Sequence, residues 1–97
     1  MAYRLTGKAV EEITAIYHEG VRQFGADQAE KYHYGMEKVF QLLSGNPELA
    51  RERDEIIPPV RIHPYGSHLI IYLVEKNSDV LIVRVRHGHE EWQEQPV

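Results

Sequence analysis

The apolar residues of this chain fall into two regimes. Through the first half they recur every third or fourth position, and near the end they run on almost without a break. Ala9, Ile13, Ile16, Tyr17, Gly20, Val21 and Phe24 form one stripe at helical spacing, with Glu11, Glu12, Glu19 and Arg22 on the outer side. Thr6 can cap this helix by accepting an orphan backbone N–H, and Gly25 supplies the stop. Asp27-Gln28-Ala29-Glu30 has the form of a capping box with Asp in the cap position. A second helix is predicted to follow, with Ala29, Tyr32, Met36, Val39, Phe40 and Leu43 on one face and Ser44-Gly45-Asn46-Pro47 as its end. The short link Gly25-Ala26 makes the pair an antiparallel helical hairpin.

Extended structure brackets the helices. Ala2 to Leu5 reads as a short first strand. Residues 48–59 hold no period, and their acids and arginines predict a solvated connection. Pro58-Pro59 forbids helix there and pre-extends the chain into a strand over Val60–Tyr65. Gly66-Ser67 is a turn, and two apolar runs, His68–Val74 and Val80–His87, flank Glu75–Asp79 as a hairpin. Strands apolar at successive positions are covered on both faces. Strict alternation puts Arg84 and Arg86 on one face of the last strand, and Leu81, Val83, Val85 and His87 on the other. The order β-α-α-β-β-β predicts a single α+β domain over residues 1–97, a helical hairpin packed on an antiparallel sheet. Glu90 to Val97, polar apart from Trp92, is expected to fray.

Composition narrows the function. The absence of cysteine excludes disulfides, a thiolate nucleophile and Cys-based zinc sites. No apolar run approaches the roughly 20 residues of a membrane span, so a soluble cytoplasmic protein without membrane association is expected. The net charge of −4 counts against nonspecific tracking of nucleic-acid phosphates. The charge is unevenly placed. Residues 60–89 carry Arg61, Lys76, Arg84 and Arg86 against Glu75 and Asp79, whereas residues 1–59 hold 7 cations and 10 acids.

This asymmetry draws attention to the end of the last strand. Arg84 and Arg86, with Arg61 if its strand is adjacent, read either as a solvated sheet face or as a surface for carboxylate or phosphate. His87 with these arginines and Tyr65 or Tyr72 could cleave RNA, the histidine moving a proton while the arginines hold phosphate charge. His63, His68, His87 and His89 lie on several segments without a recognised metal spacing, so no metal and no cofactor is expected. Tyr32, His33 and Tyr34 cannot all face a core. Tyr34 is therefore expected to be exposed, as are Tyr3 and Met1 at the hairpin entrance.

Several blocks together carry a family resemblance. They are Tyr3-Arg4-Leu5-Thr6 with Ala9 and Ile13, Phe24-Gly25-x-x-Gln28-Ala29-x-x-Tyr32, and Phe40-x-x-Leu43-x-x-x-Pro47. Ile57-Pro58-x-Val60-Arg61, Gly66-Ser67-His68-x-Ile70-x-Tyr72 and Ile82-x-Arg84-Val85-x-His87 follow. From Tyr3 to about Trp92 the chain resembles the ParE toxins of the ParE/RelE toxin–antitoxin superfamily. The resemblance implies growth inhibition by binding and poisoning DNA gyrase, with no catalytic residues. It also implies neutralisation by a ParD-like antitoxin whose C-terminal segment wraps the toxin, and no sequence-specific nucleic-acid binding by this chain alone. The RelE branch instead cuts messenger RNA on the ribosome. Its members are usually basic, and they often carry a catalytic Arg where this chain reads His68-Leu69-Ile70. A non-toxic binding module of the same fold is the remaining alternative. Charge placement puts the target surface at Arg61, Arg84, Arg86, His87 and Trp92. The helical hairpin, with Tyr17 and Tyr34, becomes the expected antitoxin dock.

Overall fold

The computed structural model describes residues 2–97, so Met1 and its expected exposure lie outside the described residues. The chain order is β1 (Tyr3–Leu5), α1 (Gly7–Phe24), α2 (Ala26–Gly45), β2 (Glu52–Arg53), β3 (Val60–Tyr65), β4 (His68–Val74) and β5 (Val80–His87). A 3-10 turn over Trp92–Glu94 follows. The α+β class and the helical hairpin on a sheet are as the pattern predicts. The sheet runs β1-β5-β4-β3-β2. Strands β2 to β5 pair antiparallel, but β1 lies parallel to β5, with Tyr3 opposite Val80 and Leu5 opposite Ile82. The sheet is therefore mixed, not wholly antiparallel. In the parallel sense the chain leaving β1 keeps bonding β5: Thr6 N–H donates to the Ile82 carbonyl at 3.1 Å and its hydroxyl to the Val83 carbonyl at 2.8 Å. The same hydroxyl accepts from Ala9 N–H at 3.1 Å, so one side chain ends a strand and starts a helix.

A single residue, Gly25, joins the helices. Its φ of 91° is open to glycine and strained for other residues, and its N–H donates to the Val21 carbonyl at 2.9 Å. Gly25 also occupies the N-cap of α2, which moves Asp27 from the expected cap position into the first turn. There its carboxylate complements the positive end of the helix.

Two cores cover the sheet. On the helix side, Ala9, Ile13, Met36, Phe40 and Leu43 pack on Ile70, Tyr72, Val80, Ile82 and Val85. On the outer side, Ile71, Val83 and Val60 lie under Ile56 and Trp92. This is why β4 and β5 are apolar at successive positions. The outer cover comes from the connection and the tail. The expected fraying of the tail is corrected at Trp92, which is 7% exposed. Tyr3 is likewise drawn in, its ring centroid 5.5 Å from that of Phe40.

A bulge in β5 changes the expected facing. Tyr72 pairs with Ile82 and Ile71 with Arg84, leaving Val83 as the extra residue. Ile82 and Val85 therefore both face the helices, while Leu81 and Val83 face the outer core. Strict alternation had grouped Val85 with Leu81 and Val83. The bulge reverses that parity.

Candidate functional site

Strand β1 stops opposite Ile82, so the outer edge of β5 has no strand partner beyond that point. A carboxylate from α1 fills the gap. Glu12 Oε1 accepts the Val85 N–H at 2.9 Å, in place of a ladder bond. The same carboxylate accepts from Arg84 Nε at 3.0 Å and Arg84 Nη2 at 2.6 Å, and it stands 3.7 Å from Arg86 Nε. Arg86 turns to Glu90, with Nε donating at 2.9 Å, and donates from Nη1 to the Gln95 carbonyl at 3.2 Å. Glu90 Oε1 also accepts the His87 N–H at 2.8 Å. The Arg84 and Arg86 side chains are only 12% and 13% exposed. The hydrogen bond from Arg84 to Glu12 raises the pKa of its guanidinium. The His87 N–H, assisted by Arg86, lowers that of the Glu90 carboxyl.

The predicted cationic exit is thus a network of internal ion pairs. Arg61 is not part of it. It lies on β3 opposite Tyr72, and its guanidinium donates to the Ala50 carbonyl at 2.6 Å. Trp92 belongs to the outer core. Among the five residues expected to form the target surface, His87 has its ring on the open cleft described below. The two hydroxyls offered for acid–base work are held by carbonyls: Tyr65 donates to Tyr32 O at 2.8 Å, and Tyr72 donates to Pro47 O at 2.9 Å. Burial raises the pKa of both phenols. Glu12 had read as an outer-side acid, and nothing in its spacing distinguishes it from Glu11.

The open feature lies between the helical hairpin and the ends of β4 and β5. It is a cleft of about 470 Å³, walled by Ile13, Ile16, Gly20, Ala29 and Met36 and rimmed by Phe24, Tyr17, His33, His68 and His87. Phe24, the last residue of the α1 stripe, is 70% exposed there. Gly20 lets the helices close, since a Cβ on it would lie 3.3 Å from that of Ala29. Tyr17 sits on the rim with its ring 5.9 Å from His33. Tyr34 is 62% exposed as expected, with Lys38 Nζ 5.1 Å from its ring centroid. At the sheet end of the cleft, Tyr32 Oη is 2.7 Å from His68 Nδ1, and the His68 and His87 rings are 5.4 Å apart. Burial, then the neighbouring His87, lowers the His68 pKa.

The helical hairpin on a five-stranded mixed sheet matches the fold of a solved chain described as a chromosomal ParDE TA system from P. aeruginosa. The superposition has a TM-score of 0.75 at 21% identity and covers 90% of this chain and 95% of that one. Residues 3–92 match the family of ParE toxins of type II toxin–antitoxin systems, parDE, and the chain belongs to that family. It is 32% identical over 85 residues to Toxin ParE1 of Mycobacterium tuberculosis, in strains CDC 1551 and H37Rv alike. That alignment covers 88% of this chain and 87% of the relative.

Proposed function

We propose that this toxin-family chain inhibits growth in the cytoplasm by binding and poisoning DNA gyrase, without catalysing a reaction, and that a ParD-like antitoxin neutralises it. The observation that carries the non-enzymatic reading is the commitment of the polar groups at the end of β5. Arg84 and Arg86 are neutralised by Glu12 and Glu90, and the Tyr65 and Tyr72 hydroxyls are bound to carbonyls. A phosphodiester transition state needs unpaired cations and a free acid and base. The exposed surface offers apolar and aromatic area instead, at the cleft and at Phe24 and Tyr34. Such area fits a partner segment that folds on binding, with Tyr17 and Tyr34 flanking the antitoxin dock. The target surface then lies around His87 and the network beneath it.

One observation favours a second reading, ribosome-dependent cutting of messenger RNA: the His68 and His87 rings adjoin on the open cleft. Induced expression separates the readings. Growth arrest, relieved by co-expressing the antitoxin encoded beside the chain and accompanied by intact messenger RNA, supports gyrase poisoning. Arrest with ribosome-dependent messenger cleavage supports the second reading. Normal growth at full expression contradicts both and leaves a binding module of the same fold.

A further inference from the structure

Four rings form a row across the sheet end of the cleft. Centroids step from Tyr32 to His68 by 5.6 Å, from His68 to His87 by 5.4 Å, and from His87 to His89 by 5.1 Å. Their hydrogen bonds determine where the protons sit. Tyr32 Oη donates to the Tyr65 carbonyl at 3.1 Å. Having one hydrogen, it must accept at its 2.7 Å contact with His68, so His68 carries its proton on Nδ1. The His89 N–H donates to His87 Nδ1 at 3.2 Å, so that nitrogen is bare and His87 carries its proton on Nε2. This pattern holds only while His87 is neutral at Nδ1.

The His87–Glu90 turn hangs from the same row. Glu90 N–H donates to the His87 carbonyl at 3.0 Å, and Gly88 N–H donates to the Ser67 carbonyl at 2.9 Å. Beyond the turn, Trp92 seals the outer core. We propose that the His68–His87 pair is a proton-operated latch, which fixes the cleft mouth and the turn into the tail while neutral and loosens both on taking up a proton. A proton on His87 Nδ1 sets two N–H groups against each other and expels the His89 amide. A proton on His68 Nε2 sets a cation beside the apolar wall of Ile13, Ile16 and Met36. Burial, and then the adjoining His87 ring, disfavour a proton on His68.

Several elements present groups to the pair. Tyr32 comes from α2, Tyr65 from β3, and His89 and Glu90 from the turn. Across the cleft stand Tyr17 and Glu19 of α1 and His33 of α2. Glu19 is engaged by Arg22 and Gln23, and His33 lies 3.3 Å from Glu37. Glu90, within the turn, already accepts the His87 N–H and Arg86.

The test uses the intact chain alone, so its result is independent of the gyrase assignment. Ring signals of His68 and His87, backbone amides of Gly88 and His89, and the Trp92 indole N–H are followed by NMR from about pH 8 to about pH 5. The latch predicts that the amides and the indole move with the same midpoint as the two rings. It also predicts that exchange at these amides, corrected for intrinsic pH dependence, rises by roughly fivefold or more. His87→Asn keeps an acceptor near the Nδ1 position but takes up no proton, so the turn should stay closed across the range. His33→Asn should leave the profile as in the wild type. Amides and indole that stay still while the rings titrate overturn the latch, as does an unchanged pH profile in His87→Asn. Should that variant not fold, the wild-type titration alone decides.

Discussion

Replacing Glu12 with Ala strands several donors at once. The carboxylate accepts from Arg84 at 2.6 and 3.0 Å and from the Val85 N–H at 2.9 Å, with Arg86 at 3.7 Å. Side-chain exposure is 22% for Glu12 and 12% for Arg84, so water replaces the lost acceptor poorly. Removing one partner of a buried ion pair costs about 3–5 kcal/mol, and a stranded amide alone costs about 1–3 kcal/mol. Glu12 keeps some access to water and Arg86 keeps Glu90, which places Glu12→Ala at the lower end, about 3 kcal/mol. Glu12→Gln retains one acceptor oxygen and should lose about 1.5 kcal/mol. In a domain of this size each kcal/mol moves Tm by roughly 4–8 °C, so Glu12→Ala should melt roughly 12–24 °C lower. Thermal and urea unfolding followed by circular dichroism measure this directly. Pairing Glu12→Ala with Arg84→Met in a double-mutant cycle should give a coupling of about 2 kcal/mol, since the second change removes a group already stranded. A Glu12→Ala loss below about 0.5 kcal/mol, or strictly additive substitutions, would refute the assignment of the β5 edge to this carboxylate.

Other expectations follow from the same packing. Trp92→Ala should cost about 3–5 kcal/mol in urea unfolding, because the ring seals the outer core over Val83 and Ile71. A loss typical of a surface site would return the tail to a frayed segment. Gly35→Ala places a methyl against the Tyr65 hydroxyl and ring and should destabilise by about 1–3 kcal/mol, despite the better helix propensity of alanine. Adding Tyr65→Phe removes the nearest clashing atom and should recover part of that loss. A double variant no more stable than Gly35→Ala would contradict the contact. Stability should also fall with acid in two stages. Burial holds the His68 pKa below its ordinary 6.5, so its contribution is complete above that pH and is lost as pH falls from there towards the lower folded value. The Glu90 pKa lies below its ordinary 4.5, so its contribution is present above that pH and is lost as pH falls through the folded value. His68→Asn should remove the first stage in urea unfolding repeated across pH, and an unchanged first stage would place its origin elsewhere.

Much of the fold is legible in the sequence because periodicity reports burial. The stripes Ala9–Ile13–Ile16 and Met36–Phe40–Leu43 became the helix side of the main core, and Thr6 capped its helix as read. The unbroken apolar runs of β4 and β5 announced covering on both faces. They could not say that Ile56 and Trp92 supply the outer cover, because Trp92 stands alone in a polar stretch and nothing local separates Ile56, which is buried, from its exposed neighbour Ile57. The bulge at Val83 has no local residue signature, so alternation misassigned Val85. The site was less legible for a related reason. Arg84, Arg86 and His87 drew attention as cations leaving a core, but their partners lie far away in sequence, in Glu12, or in a tail that read as solvated, in Glu90. Charge counted along the chain does not show which opposite charge folds onto it. Only the three-dimensional pairing shows that Arg84 and Arg86 also tie the strand to α1 and the tail.

The most direct test of the account is gyrase activity with the purified chain added. Supercoiling of relaxed plasmid by gyrase should be inhibited, cleaved plasmid should accumulate, and equimolar cognate antitoxin should restore supercoiling. Undiminished supercoiling and no cleaved plasmid with excess folded chain would contradict the proposal that it poisons gyrase.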